Sequence, residues 1–246
     1  MRVCLSLAFA ALCTLPTFGA NLIISEVVDG TLSGGLPKFV ELTNTGTTAI
    51  DLSLYSIGNQ NNSNTELGAG SLALTGTLAA SDSYVISYEY SDELGDGTFF
   101  TTYGFDPDFF DTGAFINGDD RIVLFEGLAD GTDPVDGTGA TIVDIYGYDG
   151  VDGSGETWEY TDGYAIRNAS VTTSSGIFTE SEWTFGGVDS LEGADDAAKI
   201  ALLLANTTPG THVTSPVPAP SSLMGLASLG LIGLNRLRRR GRKAMR

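Results

Sequence analysis

The chain has 246 residues, of which 42% are hydrophobic, and a formal net charge of −19. All 31 acidic residues lie between residues 21 and 215. The same stretch contains only four basic residues, namely Lys38, Arg121, Arg167 and Lys199. Such a charge repels phosphate backbones and argues against nucleic-acid binding, whereas the apolar content argues against a disordered chain.

Residues 1–19 have the organisation of a secretory signal peptide. Arg2 supplies an early positive charge, an apolar run extends from residue 3 to residue 15, and small residues close the segment. The apolar run is too short for an ordinary membrane-spanning helix. We therefore expect export and cleavage after residue 19. Cys4 and Cys13 are the only cysteines, and cleavage would leave the mature protein without a thiol.

Residues 20–212 are predicted to form one all-β domain. Short runs rich in Val, Ile, Tyr, Phe and Thr alternate there with clusters of Gly, Asp, Asn and Ser, as is typical of strands and turns. Tyr84, Ile86 and Tyr88 share one face of such a run, which is the period-2 pattern of a half-buried strand. One helix is expected at 192–205, where Ala, Lys and Leu replace β-branched residues. The predicted strands are 22–28, 38–43, 52–57, 71–74, 84–88, 121–126 and 141–148.

Two sheets packed face to face are the usual arrangement for this many short strands. A more specific pattern is carried by segments 21–28, 38–44, 50–58, 78–86, 118–124, 144–147 and 207–210. In this order they resemble the lamin tail domain. The resemblance implies an immunoglobulin-like β-sandwich, and in bacteria such domains occur on secreted and surface proteins. Residues 89–115 have no clear counterpart in that family and resemble an insertion.

The domain offers few residues for catalysis. Nucleophilic and zinc-dependent chemistry depend largely on histidine and cysteine, and the only histidine, His212, precedes the C-terminal tail, where we expect it to be exposed. A carboxylate pair could hydrolyse a glycosidic bond, but the sequence singles out no pair. Four aromatic residues could stack on sugar rings, although packing in the core is the favoured interpretation. These are Trp158, Tyr160, Tyr164 and Trp183.

Two acidic, glycine-rich loops are candidate calcium sites. Calcium takes roughly six to eight oxygen ligands, which a flexible acidic loop can supply. Neither loop follows the EF-hand order, and Asp and Gly are also ordinary turn residues, which is the favoured interpretation. The candidate ligands are Asp130, Asp133 and Asp136 in the first loop and Asp149, Asp152 and Glu156 in the second.

The C-terminal segment has three parts. Residues 213–220 form a proline-rich spacer, expected to be extended, and residues 221–246 form a tail with a short hydrophobic helix and a basic end. By the positive-inside rule the basic end would stay cytoplasmic and the domain would lie outside. The motif residues are Pro218, Ala219 and Pro220, and the basic residues are Arg236, Arg238, Arg239 and Arg240.

This order resembles the PEP-CTERM sorting signal. The resemblance implies retention at the membrane and cleavage by an exosortase near the proline motif. Ala219 stands where that motif has glutamate, which bears on how efficiently the chain would be cut. The alternative interpretation is a plain C-terminal membrane anchor.

These features together predict a non-enzymatic exported protein of the cell envelope or extracellular matrix. It would be anchored transiently in the membrane with its C-terminus in the cytoplasm. The expected partners are the export machinery, an exosortase-type enzyme and, as a further candidate, an extracellular polysaccharide; calcium is the only candidate cofactor. The first alternative is a calcium- or carbohydrate-binding adhesion module, and the second is a carboxylate-dependent hydrolase.

Overall fold

The computed structural model describes residues 21–67, 72–90, 94–111, 116–127 and 140–215. The chain divides into a compact unit, Met1–Thr214, and a second unit, Ser215–Arg246, of which only Ser215 is described. The strands are β1 (Leu22–Leu32), β2 (Leu36–Asn44), β3 (Ile50–Asp51), β4 (Tyr55–Gln60), β5 (Leu72–Ala73), β6 (Thr77–Leu78), β7 (Ser83–Tyr88), β8 (Phe109–Asp111), β9 (Arg121–Glu126), β10 (Thr141–Tyr146), β11 (Tyr164–Arg167) and β12 (Trp183–Phe185). The α-helices are α1 (Gly97–Tyr103) and α2 (Asp196–Asn206).

The described strands form two large sheets and one small one. The six-stranded sheet has the order β12-β11-β1-β2-β7-β8, and the four-stranded sheet has the order β10-β9-β4-β5. A two-stranded sheet pairs β3 with β6. Neighbouring strands are antiparallel except β7 and β8, which are parallel. The prediction of a mostly β domain is therefore confirmed.

The main core lies between the two large sheets. Leu22, Ile24 and Leu42 of the six-stranded sheet belong to the same buried cluster as Leu124 and Phe125 of the four-stranded sheet. Removal of this apolar surface from water is the main favourable contribution to such a fold, about 25 cal/mol per Å² buried. Apolar side chains from the inner faces of both sheets form this core, as in a β-sandwich.

A second buried layer covers the outer face of the six-stranded sheet. Val28 of β1 and Phe39 of β2 pack there with Phe99 of α1 and Leu203 of α2. A bulge in β1 between Ile24 and Glu26 changes which residues face outward, because it inserts one extra residue into the strand. Every residue of β1 and β2 is consequently buried.

Several predicted elements differ from the structure. Residues 52–54, predicted as strand, form a short 3-10 helix that Asp51 caps by accepting from the backbone N–H of Ser53 at 3.1 Å. The helix predicted at 192–205 begins at Asp196, because the Asp195 side chain caps it. Strands β8, β11 and β12 were not predicted, since each has only three or four residues.

The helix α1 also corrects the prediction of a single helix. It lies within residues 89–115, where Glu89 accepts hydrogen bonds from the backbone N–H groups of Thr98 (3.1 Å) and Phe99 (2.7 Å). Gly104 ends it in the left-handed conformation with φ of 80°. None of the described helices is both long enough and apolar enough to cross a membrane.

Candidate functional site

Three loops meet at one edge of the four-stranded sheet. β4 ends, β9 begins and β10 ends at the same side, because these strands are antiparallel neighbours. The loops that follow or precede them, residues 61–65, 117–120 and 147–156, are rich in Asp, Asn and Gly. We call this surface the acidic end. It contains the second of the two candidate calcium loops.

Asp120 is the buried carboxylate of the acidic end. Its two oxygens accept from the backbone N–H groups of Asn62 at 3.0 Å and Asn117 at 2.9 Å, so it joins two of the loops. The residue is only 1% exposed. Burial raises the pKa of its carboxyl to about 6, although the backbone donors oppose that shift. Asp120 therefore has a structural role, since its hydrogen bonds hold the two loops together.

The candidate ligands of the second calcium loop have separate local partners. Asp149 forms an ion pair with Arg121 at 2.9 Å, and Asp152 accepts from the backbone N–H of Ser154 at 2.9 Å. Glu156 is exposed. Across the described ranges, no three acidic, histidine or cysteine side chains are grouped as a metal site would need. Asp130, Asp133 and Asp136 lie outside the described residues, and calcium binding stays a prediction.

The aromatic residues considered for sugar stacking pack inside the domain. Trp158 and Tyr160 are 0% exposed, and Trp183 is 5% exposed. All three rings pack edge-on around Tyr146, with ring centres 4.8 to 5.9 Å apart. Tyr164 is half-buried, and its hydroxyl lies 3.3 Å from the Asn206 side-chain oxygen. The structure agrees with the core interpretation of these residues.

His212 is half-buried, so the expectation of an exposed histidine is wrong. Its backbone N–H lies 3.4 Å from the Ser83 hydroxyl, and its Nε2 atom is buried without a hydrogen-bond partner. Burial, and then the charge of Arg167, lower the pKa of the imidazole. Grooves of about 380 and 340 Å³ flank it, and neither is lined by a carboxylate. This arrangement gives the hydrolase hypothesis no support.

A pair of buried titratable side chains that the sequence did not reveal lies on the outer face of the six-stranded sheet. Glu26 of β1 and Glu41 of β2 are directly opposite in the strand register, and both are 0% exposed. Burial raises the pKa of Glu41 to about 7. Burial, and secondarily the charge of Glu41, raise the pKa of Glu26 well above its usual value. We call these two residues the glutamate pair.

Residues 207–212, which we call the strap, close over the glutamate pair. Thr208 donates its backbone N–H to both oxygens of Glu26 at 3.0 and 3.1 Å. Gly210 donates its backbone N–H to Glu41 Oε2 at 2.6 Å. Backbone donors of this kind stabilise a carboxyl that burial has removed from water.

The comparison with known protein families identifies one family in this chain. The lamin tail domain model matches residues 17–149, which is more than half of the chain. The chain belongs to the lamin tail domain family. The immunoglobulin-like sandwich that the resemblance implied is thereby supported. None of the curated proteins compared with this lamin tail domain protein matches it.

The family match of this lamin tail domain ends before the six-stranded sheet is complete. β11 and β12 lie beyond residue 149, yet β11 pairs with β1 in the middle of the sheet. Arg167 of β11 is 1% exposed and reaches Asp144 of β10 at 3.5 Å and Glu182 at 2.7 Å. It also lies over the ring of Trp183, 4.9 Å from its centre. The extension is therefore integral to the lamin tail domain of this chain.

The other sequence-predicted sites of this lamin tail domain protein are not in the described part of the chain. They are the signal peptide at 1–19 and the sorting residues Pro218, Ala219, Pro220, Arg236, Arg238, Arg239 and Arg240. The PEP-CTERM interpretation therefore stays a prediction.

Proposed function

We propose that this lamin tail domain protein is a non-enzymatic, exported component of the cell envelope or extracellular matrix. The observation that carries the proposal is the order of a proline motif, an apolar stretch and an arginine cluster in residues 213–246, after a strongly acidic domain and an N-terminal signal-like segment. An exosortase-type enzyme would cut the tail near Pro218 and release the domain outside the cell.

The environment of the charged groups supports a display role for the domain. The buried carboxylates have hydrogen-bond or ion-pair partners within the fold. Asp144 accepts from the backbone N–H of Ile24 at 2.8 Å, and Asp29 forms an ion pair with Lys38. The other acidic residues of the described ranges lie mainly in exposed loops, where a high negative charge maintains solubility and attracts cations or basic polymers. A stable acidic sandwich suits presentation at a surface better than chemistry in a cleft.

The processing proposal is tested by the intact mass of the protein recovered from the cells that make it. The expected mature form lacks the first 19 residues and the residues after the proline motif. Replacement of Arg236, Arg238, Arg239 and Arg240 by alanine should leave the tail uncut, because it removes four of the seven basic residues of the tail and so weakens the positive-inside anchor. Met245→Ala, which keeps every arginine, is the matched control.

A native protein that retains its complete tail would contradict cleavage and would favour the plain anchor. A protein that retains residues 1–19 and stays in the cytoplasm would contradict export altogether. Both results are read from the same mass spectrum and cell fractionation. They separate the two signals, because each end of the chain is scored by itself.

A second candidate function is a calcium-dependent adhesion module, which the contact of loop 149–156 with Asp119 favours. Ser154 donates its hydroxyl to Asp119 at 3.1 Å, so the calcium loop at 149–156 touches a further carboxylate. Thermal unfolding of the full chain with millimolar Ca²⁺, and with Mg²⁺ at equal ionic strength, tests it. A ligand at 100 times its dissociation constant should add about 2.7 kcal/mol. An equal shift with both ions would reduce the effect to general screening of charge.

A further inference from the structure

The glutamate pair and the strap form a closed unit on the outer face of the six-stranded sheet. Glu26 and Glu41 face each other across neighbouring strands and have no contact with solvent. None of the ion pairs among the described residues includes either of them. Two buried carboxylates without a cationic partner cannot both be ionised at low cost, because each charge loses its hydration and repels the other.

The strap holds the pair through backbone groups. Thr208 and Gly210 donate to Glu26 and Glu41, respectively, and the strap begins where α2 ends at Asn206. The Thr207 hydroxyl lies 2.8 Å from the hydroxyl of Tyr103, which ties the same segment to α1. Besides the two carboxyls, the strap is anchored by the Thr207 hydroxyl, which also donates to the Leu203 carbonyl at 2.8 Å, and by the backbone N–H of His212, 3.4 Å from the Ser83 hydroxyl.

A chain of hydroxyl groups leads from the pair toward the edge of the strap. Ser25 Oγ lies 2.5 Å from Glu41 Oε1, Thr43 Oγ1 lies 2.7 Å from Ser25, and Ser83 Oγ lies 2.8 Å from Thr43. Ser83 is half-buried, beside the backbone of His212. Hydroxyls both donate and accept, so this chain gives the buried Glu41 a route for proton exchange while the strap is closed.

Few other titratable groups face the pair. On the helical side the pair faces Tyr103 of α1. Burial raises the pKa of the Tyr103 hydroxyl, its hydrogen bond with Thr207 opposes that shift, and the charge of Glu26 adds to it. Asp108 accepts from the backbone N–H of Val85, the β7 residue opposite Glu41, at 2.8 Å. Within the strap itself, burial and then the charge of Arg167 of β11 lower the pKa of His212. On α2, Lys199 is directed to the Thr31 carbonyl at 2.7 Å and to Glu192 at 3.2 Å.

We propose that the glutamate pair is a proton-dependent lock for the strap. While the pair holds a proton the strap stays closed on the sheet, and when both carboxyls are ionised the strap opens and admits water to them. The segment that leads from the folded domain into the C-terminal spacer thus becomes looser as the surroundings change from acidic to alkaline. This proposal does not depend on export or processing.

The direction follows from the raised pKa of Glu41, about 7 in the closed state against 4.5 for a solvated glutamate. A closed state that binds its proton more tightly is favoured at low pH and loses that advantage as the pH rises from about 4.5 to about 7. Each unit of pKa difference changes an equilibrium tenfold, so the opening equilibrium should rise on the order of 100-fold between pH 5 and pH 8.

The test is amide hydrogen exchange of the full chain at pH 5 to 8, corrected for the intrinsic effect of pH on exchange. Protection of the Thr208, Gly210 and Thr211 amides should fall on the order of 100-fold. The Val123 amide in the centre of β9 exchanges only through a larger opening, so it should stay more protected than the strap at every pH of the series. Glu41→Gln, which keeps the size and an acceptor oxygen, should abolish most of the pH dependence. Glu66→Gln, at an exposed position, is the matched control and should behave as the unmodified chain.

Protection of the strap that is constant over this pH range would overturn the proposal. The same holds if Glu41→Gln retains the full pH dependence. If that variant does not fold, the carboxyl carbon of Glu41 in the unmodified chain is titrated by NMR. A midpoint near 7 supports the lock, whereas a midpoint near the ordinary value of 4.5 refutes it.

Discussion

The two faces of the six-stranded sheet are equally buried but differ in chemistry. Leu42 and Glu41 are adjacent in β2 and both are 0% exposed. Leu42 packs between the sheets among aliphatic and aromatic side chains. Glu41 lies on the opposite face, under the strap, among hydroxyl and backbone N–H groups. One strand therefore faces an apolar interior on one side and a polar interior on the other.

The difference shows that the two faces depend on different kinds of neighbour. An apolar side chain is stabilised by any close packing of suitable volume. A buried carboxyl needs particular donors, and those of Glu26 come from a segment 182 residues further along the chain. The apolar face should therefore respond to loss of volume, and the polar face to loss of partners and to pH.

The largest effect is expected between the sheets. Phe125→Ala removes a fully buried ring from the core and should lower the free energy of unfolding by about 3–5 kcal/mol. Leu54→Ala, at a position 57% exposed, should change it by less than about 0.5 kcal/mol. Chemical denaturation of both variants measures the difference. Equal effects would show that the core does not lie where the structure places it.

The next effect concerns a buried polar group and its partners. Asp144→Ala leaves the buried Arg167 with Glu182 as its remaining ion-pair partner and should cost about 3 kcal/mol. Glu182, the other partner of the same arginine, has a side chain that is 32% exposed. Glu182→Ala should therefore cost less than about 1 kcal/mol. Denaturation curves of the two variants provide the comparison. A larger cost for Glu182→Ala would contradict the dominant role of the buried partner.

A pH series distinguishes the polar face from the apolar one. Because burial raises the pKa of Glu41 to about 7, its contribution to stability is complete below the unfolded value near 4.5 and is lost as the pH rises through 7. Raising the pH from 5 to 8 should lower the free energy of unfolding by roughly 2 kcal/mol from this residue. Asp120, with a pKa of about 6, adds to the same trend. In denaturation experiments the free energy of unfolding of Glu41→Gln should change less with pH than that of the unmodified chain. Phe125→Ala should keep the pH dependence of the unmodified chain.

The sequence predicted the apolar face well and the polar face poorly, for one reason. Tyr84, Ile86 and Tyr88 lie at alternate positions, and their shared face is visible locally because side chains in a strand alternate between faces. Glu26 and Glu41 alternate in the same way as residues that face water, and only the distant strap covers them. The bulge after Ile24 also changes the facing residues without a signal in the sequence.

The candidate site shows the same limit. The acidic loop at 149–156 could be located because Asp and Gly mark turns, but the partners of Asp149 and Asp152 could not. Arg121 pairs with Asp149 and the backbone N–H of Ser154 donates to Asp152, and these contacts depend on the packed fold. Burial of Trp158 was the favoured interpretation, since a large aromatic side chain in a β domain has more to gain inside.

The smallest effect tests the helix that covers the polar face. Asp195 caps α2 by accepting from the backbone N–H of Ala198 at 2.9 Å, and Asp195→Ala should cost about 1 kcal/mol. Asp196→Ala, one residue further and without a capping hydrogen bond, should cost a few tenths of a kcal/mol through the helix dipole alone. Leu203 of α2 belongs to the cluster on the outer face, so a loosened helix should also raise amide exchange in the strap that follows it. If Asp195→Ala lowers stability without changing exchange in the strap, α2 and the strap cover the sheet independently of each other.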